Sequence, residues 1–231
     1  MAARRRLDNV TMTVPAVWIA GGALLAAGML AYWQLVIAEG THLGQRVVTW
    51  LYDLAATRYD SIKQYDAETE RHFLGEPLCM WLSLCDDPLV VDIGTGTARL
   101  PLALLGESTF SGTIIALDDS RQMLHVAAGK LSAHPGEEAQ QTVHLVWRRG
   151  ESIPLPDAIA DCVTCLEMLE FTPSPLRQLQ EAVRVLAPGG LLLTTRRTGP
   201  DARLIPGKTH DTSAFEALLD GLGLVDITLQ T

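Results

Sequence analysis

The chain has 231 residues and a formal net charge of -9 at pH 7, from 27 acidic and 18 basic side chains. This length gives room for one α/β domain with a sizeable core and one additional element, but not for two full catalytic domains. Proteins that bind nucleic acid gain most of their affinity from clustered Lys and Arg, so the acidic balance argues against DNA or RNA as a partner.

The four cysteines are Cys79, Cys85, Cys162 and Cys165, too few for a disulfide scaffold in a chain of this length. They stand inside apolar runs, which predicts buried free thiols and favours a reducing compartment. Cys162 and Cys165 match the C-x-x-C spacing, but they lie in a predicted strand, where residues three apart point to opposite faces. We therefore predict no metal site.

An uncharged apolar run follows a basic N-terminal tail. The tail, residues 1–13, contains Arg4-Arg5-Arg6, and residues 14–38 are rich in Ala, Leu, Val and Gly. A helix of about 20 residues crosses the roughly 30 Å hydrocarbon core of a bilayer. Trp18 and Tyr32-Trp33 lie near the two ends, where aromatic side chains favour the headgroup boundary. We predict an anchor helix over 14–38 that contacts lipid as a transmembrane or monotopic element.

A signal peptide is the competing interpretation of this N-terminal segment, because it also combines basic residues with an apolar core. The apolar run is long for such a core, and no small-x-small cleavage site precedes Glu39. Retention of the helix is therefore the favoured prediction.

The rest of the chain divides into a helical segment and an α/β segment. Residues 39–87 predict an amphipathic helical linker and cap, with one apolar face formed by Val47, Val48, Leu51, Leu54 and Ala55.

In residues 88–231, short β-branched runs alternate with helical patterns, which is typical of a parallel sheet with crossover helices. The predicted strands are 89–93, 112–118, 142–147, 160–166, 190–196 and 224–230, and the predicted helices are 97–106, 120–131, 174–187 and 211–222. The predicted fold is α/β, a doubly wound, mostly parallel Rossmann-like sheet with helices on both faces, preceded by an N-terminal transmembrane helix.

A glycine-rich turn follows the first predicted strand, in Asp92-Ile-Gly-Thr-Gly-Thr. Gly94 and Gly96 carry no Cβ, so the backbone can turn sharply and approach a nucleoside-like ligand closely. The second strand ends at Asp118, where a carboxylate can accept hydrogen bonds from both hydroxyls of a ribose. An ordinary turn with solvated carboxylates is the structural alternative. The dinucleotide fingerprint G-x-G-x-x-G is not satisfied, because Arg99 occupies its third glycine position.

Four motifs in order resemble the class I S-adenosylmethionine-dependent methyltransferases, and more narrowly the group of ubiquinone and menaquinone biosynthesis. They are Asp92-Ile-Gly-Thr-Gly-Thr, Leu117-Asp-Asp-Ser-Arg-Gln-Met-Leu, Glu151-Ser-Ile-Pro-Leu-Pro-Asp-Ala-Ile-Ala-Asp-Cys-Val and Glu181-Ala-Val-Arg-Val-Leu-Ala-Pro-Gly-Gly. The resemblance runs from about Tyr52 to the C-terminus. It implies a sixth strand and leaves no residues for the antiparallel seventh strand of the family.

The resemblance also implies S-adenosyl-L-methionine as the cofactor and a set of residues around it. Gly94 and Gly96 would line its methionyl part, Asp118 would hold the ribose, Gly150 and Glu151 would lie near the adenine, and Leu166-Glu167 near the sulfonium. The implied cofactor-binding set is Asp92, Gly94, Thr95, Gly96, Asp118, Asp119, Gly150, Glu151 and Leu166.

Three functions compete. The first is a membrane-anchored enzyme that methylates a small lipophilic acceptor of the quinone or lipid class, with Tyr52, Tyr59 and Tyr65 capping the cleft and shaping the acceptor pocket. Methyl transfer from a sulfonium needs chiefly alignment and desolvation, and no catalytic base is identified. The second is an inactive cofactor-binding scaffold, suggested by Arg149 where the family commonly has an acidic residue and by Met168 where members often carry His. The third, a dinucleotide-dependent oxidoreductase, lacks the required glycine.

The side of the membrane on which the domain lies is a further prediction. Three Arg precede the apolar run, against Arg46 and Arg58 in the roughly 20 residues after it, an excess that favours a cytoplasmic N-terminus and an exported domain. S-adenosylmethionine is made and kept in the cytoplasm, however, so an exported domain would have no ligand. We therefore predict a cytoplasmic domain.

Overall fold

The computed structural model describes residues 2–135, 139–148, 151–209 and 211–229 of the chain. The helices are α1 Ala2–Tyr32, α2 Gln45–Ala55, α3 Tyr59–Lys63, α4 Ala67–Glu70, α5 Glu76–Leu82, α6 Arg99–Leu105, α7 Arg121–Ala133, α8 Ala139–Thr142, α9 Pro175–Val185, α10 Gly199–Ala202 and α11 Thr212–Gly221. The strands are β1 Leu89–Ile93, β2 Thr113–Asp118, β3 Val143–Trp147, β4 Ala160–Cys165 and β5 Leu186–Thr194.

The N-terminal helix continues from α1 through a π turn, Trp33–Ile37. Its segment Ala16–Ile37 has 22 residues and is long and apolar enough to cross a membrane, and its apolar window is not buried against the rest of the protein. Two hydrogen bonds tie its C-terminal end to the domain: Trp33 Nε1 donates to Leu204 O at 2.9 Å, and Thr41 Oγ1 donates to Glu170 O at 2.6 Å.

The described strands form one parallel sheet in the order β3-β2-β1-β4-β5. Its central strands are runs of Val, Ile, Leu and Ala because helices cover both faces, as parallel sheets require. One apolar cluster joins Val91 and Ile93 of β1 to α9 and α11, and the second joins Val90 of β1 to α5, α6 and α7. The predicted doubly wound, parallel Rossmann-like sheet is confirmed.

Ser120 caps α7, where its Oγ accepts a 3.0 Å hydrogen bond from the N–H of Met123. The prediction of free thiols is confirmed for all four cysteines. Cys79, Cys162 and Cys165 are buried as predicted, whereas Cys85 is partly exposed. β5 begins four residues before its predicted start, because a register shift against β4 lets Pro188-Gly189-Gly190 enter the strand.

The predicted sixth strand over 224–230 is wrong for residues 224–229, the part that the structure describes, which form no strand. Asp226 has a left-handed backbone, φ 57°, which breaks the extended conformation that a ladder needs. Leu224 and Ile227 nevertheless pack on the core, while Val225 is 80% exposed. The apolar pattern of this segment therefore reflects core packing by a bent chain.

The prediction of one apolar face on α2 is wrong for Leu54. Val48 is buried and Val47, Leu51 and Ala55 are partly buried, but Leu54 is 65% exposed. Polar contacts decide the orientation of this helix, because Gln45 and Thr49 bond to Asp119 across the site described next.

Candidate functional site

A cavity that is partly open to solvent lies at the carboxyl ends of β1, β2 and β4. The strand order reverses between β1 and β4, and in open α/β sheets ligands bind at such a switch point. The lining residues are Gln45, Val48, Tyr52, Tyr59, Tyr65, Asp92, Gly94, Thr95, Gly96, Thr97, Arg99, Leu100, Leu117, Asp118, Asp119, Arg148, Leu166, Glu167, Met168, Phe171, Thr172, Pro173 and Gln178.

The turn after β1 brings backbone to the cavity wall. Gly94, Gly96 and Ala98 all have left-handed φ angles, 75°, 55° and 68°. Ala98 adopts this conformation at a cost of roughly 1–2 kcal/mol, which the two glycines avoid. A Cβ on Gly94 would lie 3.3 Å from both Cβ and Cγ of Met168, closer than side chains normally pack. Gly94 is therefore required by its conformation and by its neighbour.

Asp118, at the end of β2, binds this turn directly. Its Oδ2 accepts a hydrogen bond from the N–H of Gly96, and its Oδ1 accepts one from the N–H of Ser120, each at 2.8 Å. The side chain still reaches the cavity, but it lies deep enough in the protein for burial to raise the pKa of Asp118 to about 7, against the lowering effect of the two N–H donors. A carboxylate oxygen can accept more than one hydrogen bond, so Asp118 retains acceptor capacity toward a ligand hydroxyl.

Two further carboxylates in the cavity, Asp92 and Asp119, accept hydrogen bonds from other side chains of the protein. Asp92 is 3% exposed and accepts a 2.6 Å hydrogen bond from Thr164 Oγ1, and burial raises its pKa. Asp119 Oδ2 accepts hydrogen bonds from Gln45 Nε2 at 2.6 Å and from Thr49 Oγ1 at 2.7 Å. Asp119 thereby fixes α2 over the cavity.

Aromatic side chains line another part of the cavity and form an aromatic wall that reaches the glycine turn, where a Cβ on Gly96 would lie 3.9 Å from the ring of Tyr59. The rings of Tyr52 and Tyr59 lie 5.6 Å apart, those of Tyr59 and Tyr65 lie 6.0 Å apart, and Phe171 lies 6.1 Å from Tyr52. Burial raises the pKa of each of the three tyrosines above its usual range. All three therefore remain protonated near neutral pH and act as hydrogen-bond donors, not as bases.

Charged pairs close the rim beside this wall. Glu167 Oε1 accepts a 2.6 Å hydrogen bond from Arg99 Nη1, and its Oε2 lies 3.8 Å from Lys63 Nζ. Arg99 also pairs with Glu70 at 2.6 Å, and its guanidinium lies 4.5 Å from the ring centre of Tyr65. Arg99, which replaces a fingerprint glycine, thus ties the rim to the end of α4.

Two glutamines in the cavity carry buried polar atoms without a partner among the described residues. They are Oε1 of Gln45 and Nε2 of Gln178, one acceptor and one donor. The other end of Gln178 accepts a 2.9 Å hydrogen bond from Arg148 Nη2. A buried polar group without a partner costs free energy, so a ligand with polar groups would be stabilised here. The sequence analysis missed both glutamines, which belong to no motif.

The structure brings most of the predicted site residues together. Seven of them line this one cavity: Asp92, Gly94, Thr95, Gly96, Asp118, Asp119 and Leu166. Glu151 is described but is not part of the lining, and Gly150 and Arg149 lie outside the described residues. Tyr52, Tyr59 and Tyr65 line the cavity as anticipated.

Comparison with known proteins identifies the kind of domain. Residues 91–194 match the model of a family described as a methyltransferase domain. The demethylmenaquinone methyltransferase of Lactiplantibacillus plantarum is 33% identical over 162 residues, 68% of this chain and 65% of the relative. The malonyl-[acyl-carrier protein] O-methyltransferase of a Marinomonas species is 29% identical over 187 residues, 77% of this chain and 65% of the relative.

A solved structure shares the fold. It is a candidate S-adenosyl-L-methionine-dependent methyltransferase from Methanococcus maripaludis, with a TM-score of 0.58 and 20% identity, covering 74% of this chain and 84% of that one.

The fold, the glycine turn and the acidic end of β2 define a Rossmann-like nucleoside-binding domain. The chain belongs to the class I S-adenosylmethionine-dependent methyltransferases, with distant similarity to the ubiquinone and menaquinone group. The cofactor of this family is S-adenosyl-L-methionine, the methyl donor. The cavity fits this cofactor, since it offers a glycine cradle, a ribose acceptor and unpaired polar atoms. The chain spans 65% of the length of each of the two relatives, which differ in acceptor.

Proposed function

We propose that the chain transfers a methyl group from S-adenosylmethionine to a small lipophilic acceptor of the quinone or lipid class, at a membrane surface. The observation that carries this proposal is Asp118 bonded to the glycine turn in a cavity that Tyr52, Tyr59 and Phe171 also line. Polar groups that can hold a nucleoside thus share one cavity with aromatic rings suited to a flat, hydrophobic acceptor.

The cofactor is proposed to lie along the turn after β1. Asp118 accepts hydrogen bonds from the ribose hydroxyls, while Gly94, Thr95 and Gly96 allow the methionyl part to approach the backbone. Leu166 lies at the end of β4, on the side where the sulfonium is expected. Gly150 and Glu151 remain the proposed adenine neighbours, with Glu151 outside the cavity lining.

The protein's part in the reaction is alignment. The transferred methyl group is already activated by the sulfonium, so the rate depends on in-line placement of acceptor and donor and on exclusion of water. Tyr52, Tyr59 and Phe171 confine the acceptor by ring contact. An acceptor that enters already ionised, such as a quinol anion, needs no protein base.

The membrane location is proposed from the N-terminal helix. Its exposed apolar segment, Ala16–Ile37, would be placed in a bilayer as a single-pass or monotopic anchor. Lipophilic acceptors partition into the same bilayer, so the anchor would hold the cavity where they are concentrated. The domain is proposed to be cytoplasmic, where its methyl donor is made. A reporter fused after Thr231 that works only in the cytoplasm should then be active, and activity of an export-dependent reporter would refute this placement.

Calorimetric titration of the full chain in detergent tests the cofactor class. We expect S-adenosylhomocysteine to bind with one-to-one stoichiometry and NAD not to bind, because the turn lacks the third glycine of the dinucleotide fingerprint. Binding of NAD alone would overturn the proposal. Binding of S-adenosylhomocysteine without turnover of any quinol or lipid acceptor would instead support a cofactor-binding scaffold.

A further inference from the structure

Helix α2 covers the cavity with a polar inner face. Gln45 and Thr49 donate hydrogen bonds to Asp119, Val48 is 5% exposed, and Tyr52 contributes to the aromatic wall. α2 also packs against α7, the helix that follows β2. The inner face therefore fixes both the position of α2 and its rotation about its own axis.

The outer face of α2 carries four exposed side chains spaced four residues apart. They are Arg46, Trp50, Leu54 and Arg58, the last in the 3-10 turn Ala56–Arg58 directly after the helix. Trp50 is 54% exposed and Leu54 is 65% exposed. Residues four apart lie on one side of a helix, so two arginines flank two large apolar side chains along one line.

This combination matches the chemistry of a lipid surface. Amphipathic helices that lie in the membrane interface place Trp and Leu in the boundary between headgroups and acyl chains and Lys or Arg beside anionic headgroups. The two arginines stand out in a chain with a net charge of -9. An acidic partner surface is thus favoured, and the two apolar side chains favour a surface with an apolar layer beneath its charges.

Continuity with the N-terminal helix favours a bilayer as that surface. The exposed apolar segment ends at Ile37, and α2 begins eight residues later at Gln45. Trp33, near the end of the apolar segment, and Thr41, between this segment and α2, both donate hydrogen bonds to the domain. These bonds limit how far the domain can move from the end of the apolar helix.

We propose that the outer face of α2 rests on the bilayer surface, with Trp50 and Leu54 in the interface and Arg46 and Arg58 on the phosphates of anionic lipids. The inference rests on the membrane location in the proposed function. In this arrangement α2 alone stands between the lipid surface and the cavity. A lipophilic acceptor can therefore leave the bilayer and pass beside α2 to the aromatic wall without crossing bulk water.

Spin labels on the full chain in lipid nanodiscs test the orientation. Leu54→Cys carries the label in one variant and Met80→Cys in the other, both with Cys85→Ser to remove the partly exposed native thiol. Met80 is a matched control because it is 76% exposed and belongs to α5, which packs against α6. The readout is the collision rate of the label with oxygen, which concentrates in lipid, divided by that with a water-soluble nickel chelate.

In nanodiscs of phosphatidylcholine containing one quarter phosphatidylglycerol, we expect a several-fold higher ratio at position 54 than at position 80. Adding Arg46→Gln and Arg58→Gln should weaken surface contact by about fivefold per arginine, and so lower the ratio at position 54. Equal ratios at the two positions would overturn the inference, as would failure of the chain to enter nanodiscs. Titration of the same labelled proteins with S-adenosylhomocysteine separates this inference from the proposed function. If the labelled proteins do not bind S-adenosylhomocysteine, the result counts against the proposed function and not against the contact of α2 with lipid.

Discussion

Glu39 accepts a 2.7 Å hydrogen bond from the hydroxyl of Tyr52, which joins the first residue after the predicted anchor to the aromatic wall of the cavity. The other carboxylate oxygen of Glu39 lies 3.3 Å from Arg197 Nη2 and 3.6 Å from Lys63 Nζ. Glu39 itself has a left-handed backbone, φ 47°. The segment between the apolar helix and the domain is thus part of the site and not a passive linker.

Replacing Glu39 tests this connection. Glu39→Ala leaves the buried Tyr52 hydroxyl without its acceptor and removes a carboxylate from beside Arg197 and Lys63. We therefore expect it to lower the free energy of unfolding by about 1–3 kcal/mol and to raise the acceptor KM more than it lowers kcat. Glu39→Gln keeps an acceptor oxygen for Tyr52 and should recover most of the acceptor affinity. Denaturant unfolding gives the free energy of unfolding, and steady-state kinetics give KM and kcat.

The control is Glu68→Ala in the exposed pair with Arg71, which should change neither stability nor kinetics. Equal KM values for Glu39→Ala and the native chain would show that the contact does not shape the acceptor pocket.

Asp118 offers a direct test of cofactor binding. Removing its carboxylate in Asp118→Ala should weaken S-adenosylhomocysteine binding by about 1.5–3 kcal/mol for each ribose hydrogen bond lost. The matched control is Asp157→Ala, whose carboxylate is 76% exposed and pairs with Arg184 away from the cavity. Calorimetric affinities of the two variants decide the question, and an unchanged affinity in Asp118→Ala would remove this residue from the site.

The sheet and the turn were predictable because their signals are local in the chain. β1, β2 and β4 are β-branched or apolar runs, and the glycine turn and Asp118 directly follow the strands that place them. The carboxyl ends of parallel strands share one edge of the sheet, so order along the chain is enough to bring these residues together.

The contacts that were missed join distant parts of the chain. Glu39 and Arg197 are 158 residues apart, and no pattern in either segment predicts that they pair. Over 224–229, the alternating apolar residues resemble a strand, but Asp226 turns the backbone and the apolar side chains pack on the core. On α2, the apolar pattern does not predict the hydrogen bonds that Gln45 and Thr49 donate to Asp119.

Two glycine substitutions separate backbone requirements from general stability. Gly94→Ala forces a side chain into a left-handed position against Met168, so we expect a loss of about 1–2 kcal/mol of stability together with weaker S-adenosylhomocysteine binding. Gly129→Ala is the control, since Gly129 lies exposed within α7 and its added Cβ meets no atom within 4 Å. That change should stabilise the protein by about 0.5–1 kcal/mol and leave affinity unchanged. Thermal melts with and without ligand provide both values, and a Gly94→Ala protein that binds normally would contradict the proposed close approach of the cofactor.

The raised pKa of Asp118 predicts opposite effects of pH on stability and on binding. Its pKa is about 7 in the folded, ligand-free protein because burial disfavours the charged form. Between the ordinary aspartate pKa and 7, the folded chain holds a proton that the unfolded chain releases, so stability falls as pH rises through this window. Burial raises the pKa of Asp92 as well, which lowers stability with rising pH in the same way.

Ribose binding favours the ionised carboxylate of Asp118, so affinity for S-adenosylhomocysteine should rise by about tenfold from pH 6 to pH 8 and then level off. Calorimetry in buffers of different ionisation enthalpy should detect proton release on binding near pH 6. Asp118→Asn, which cannot ionise, should bind weakly with little dependence on pH, and an unchanged pH profile in that variant would assign the titration to another group.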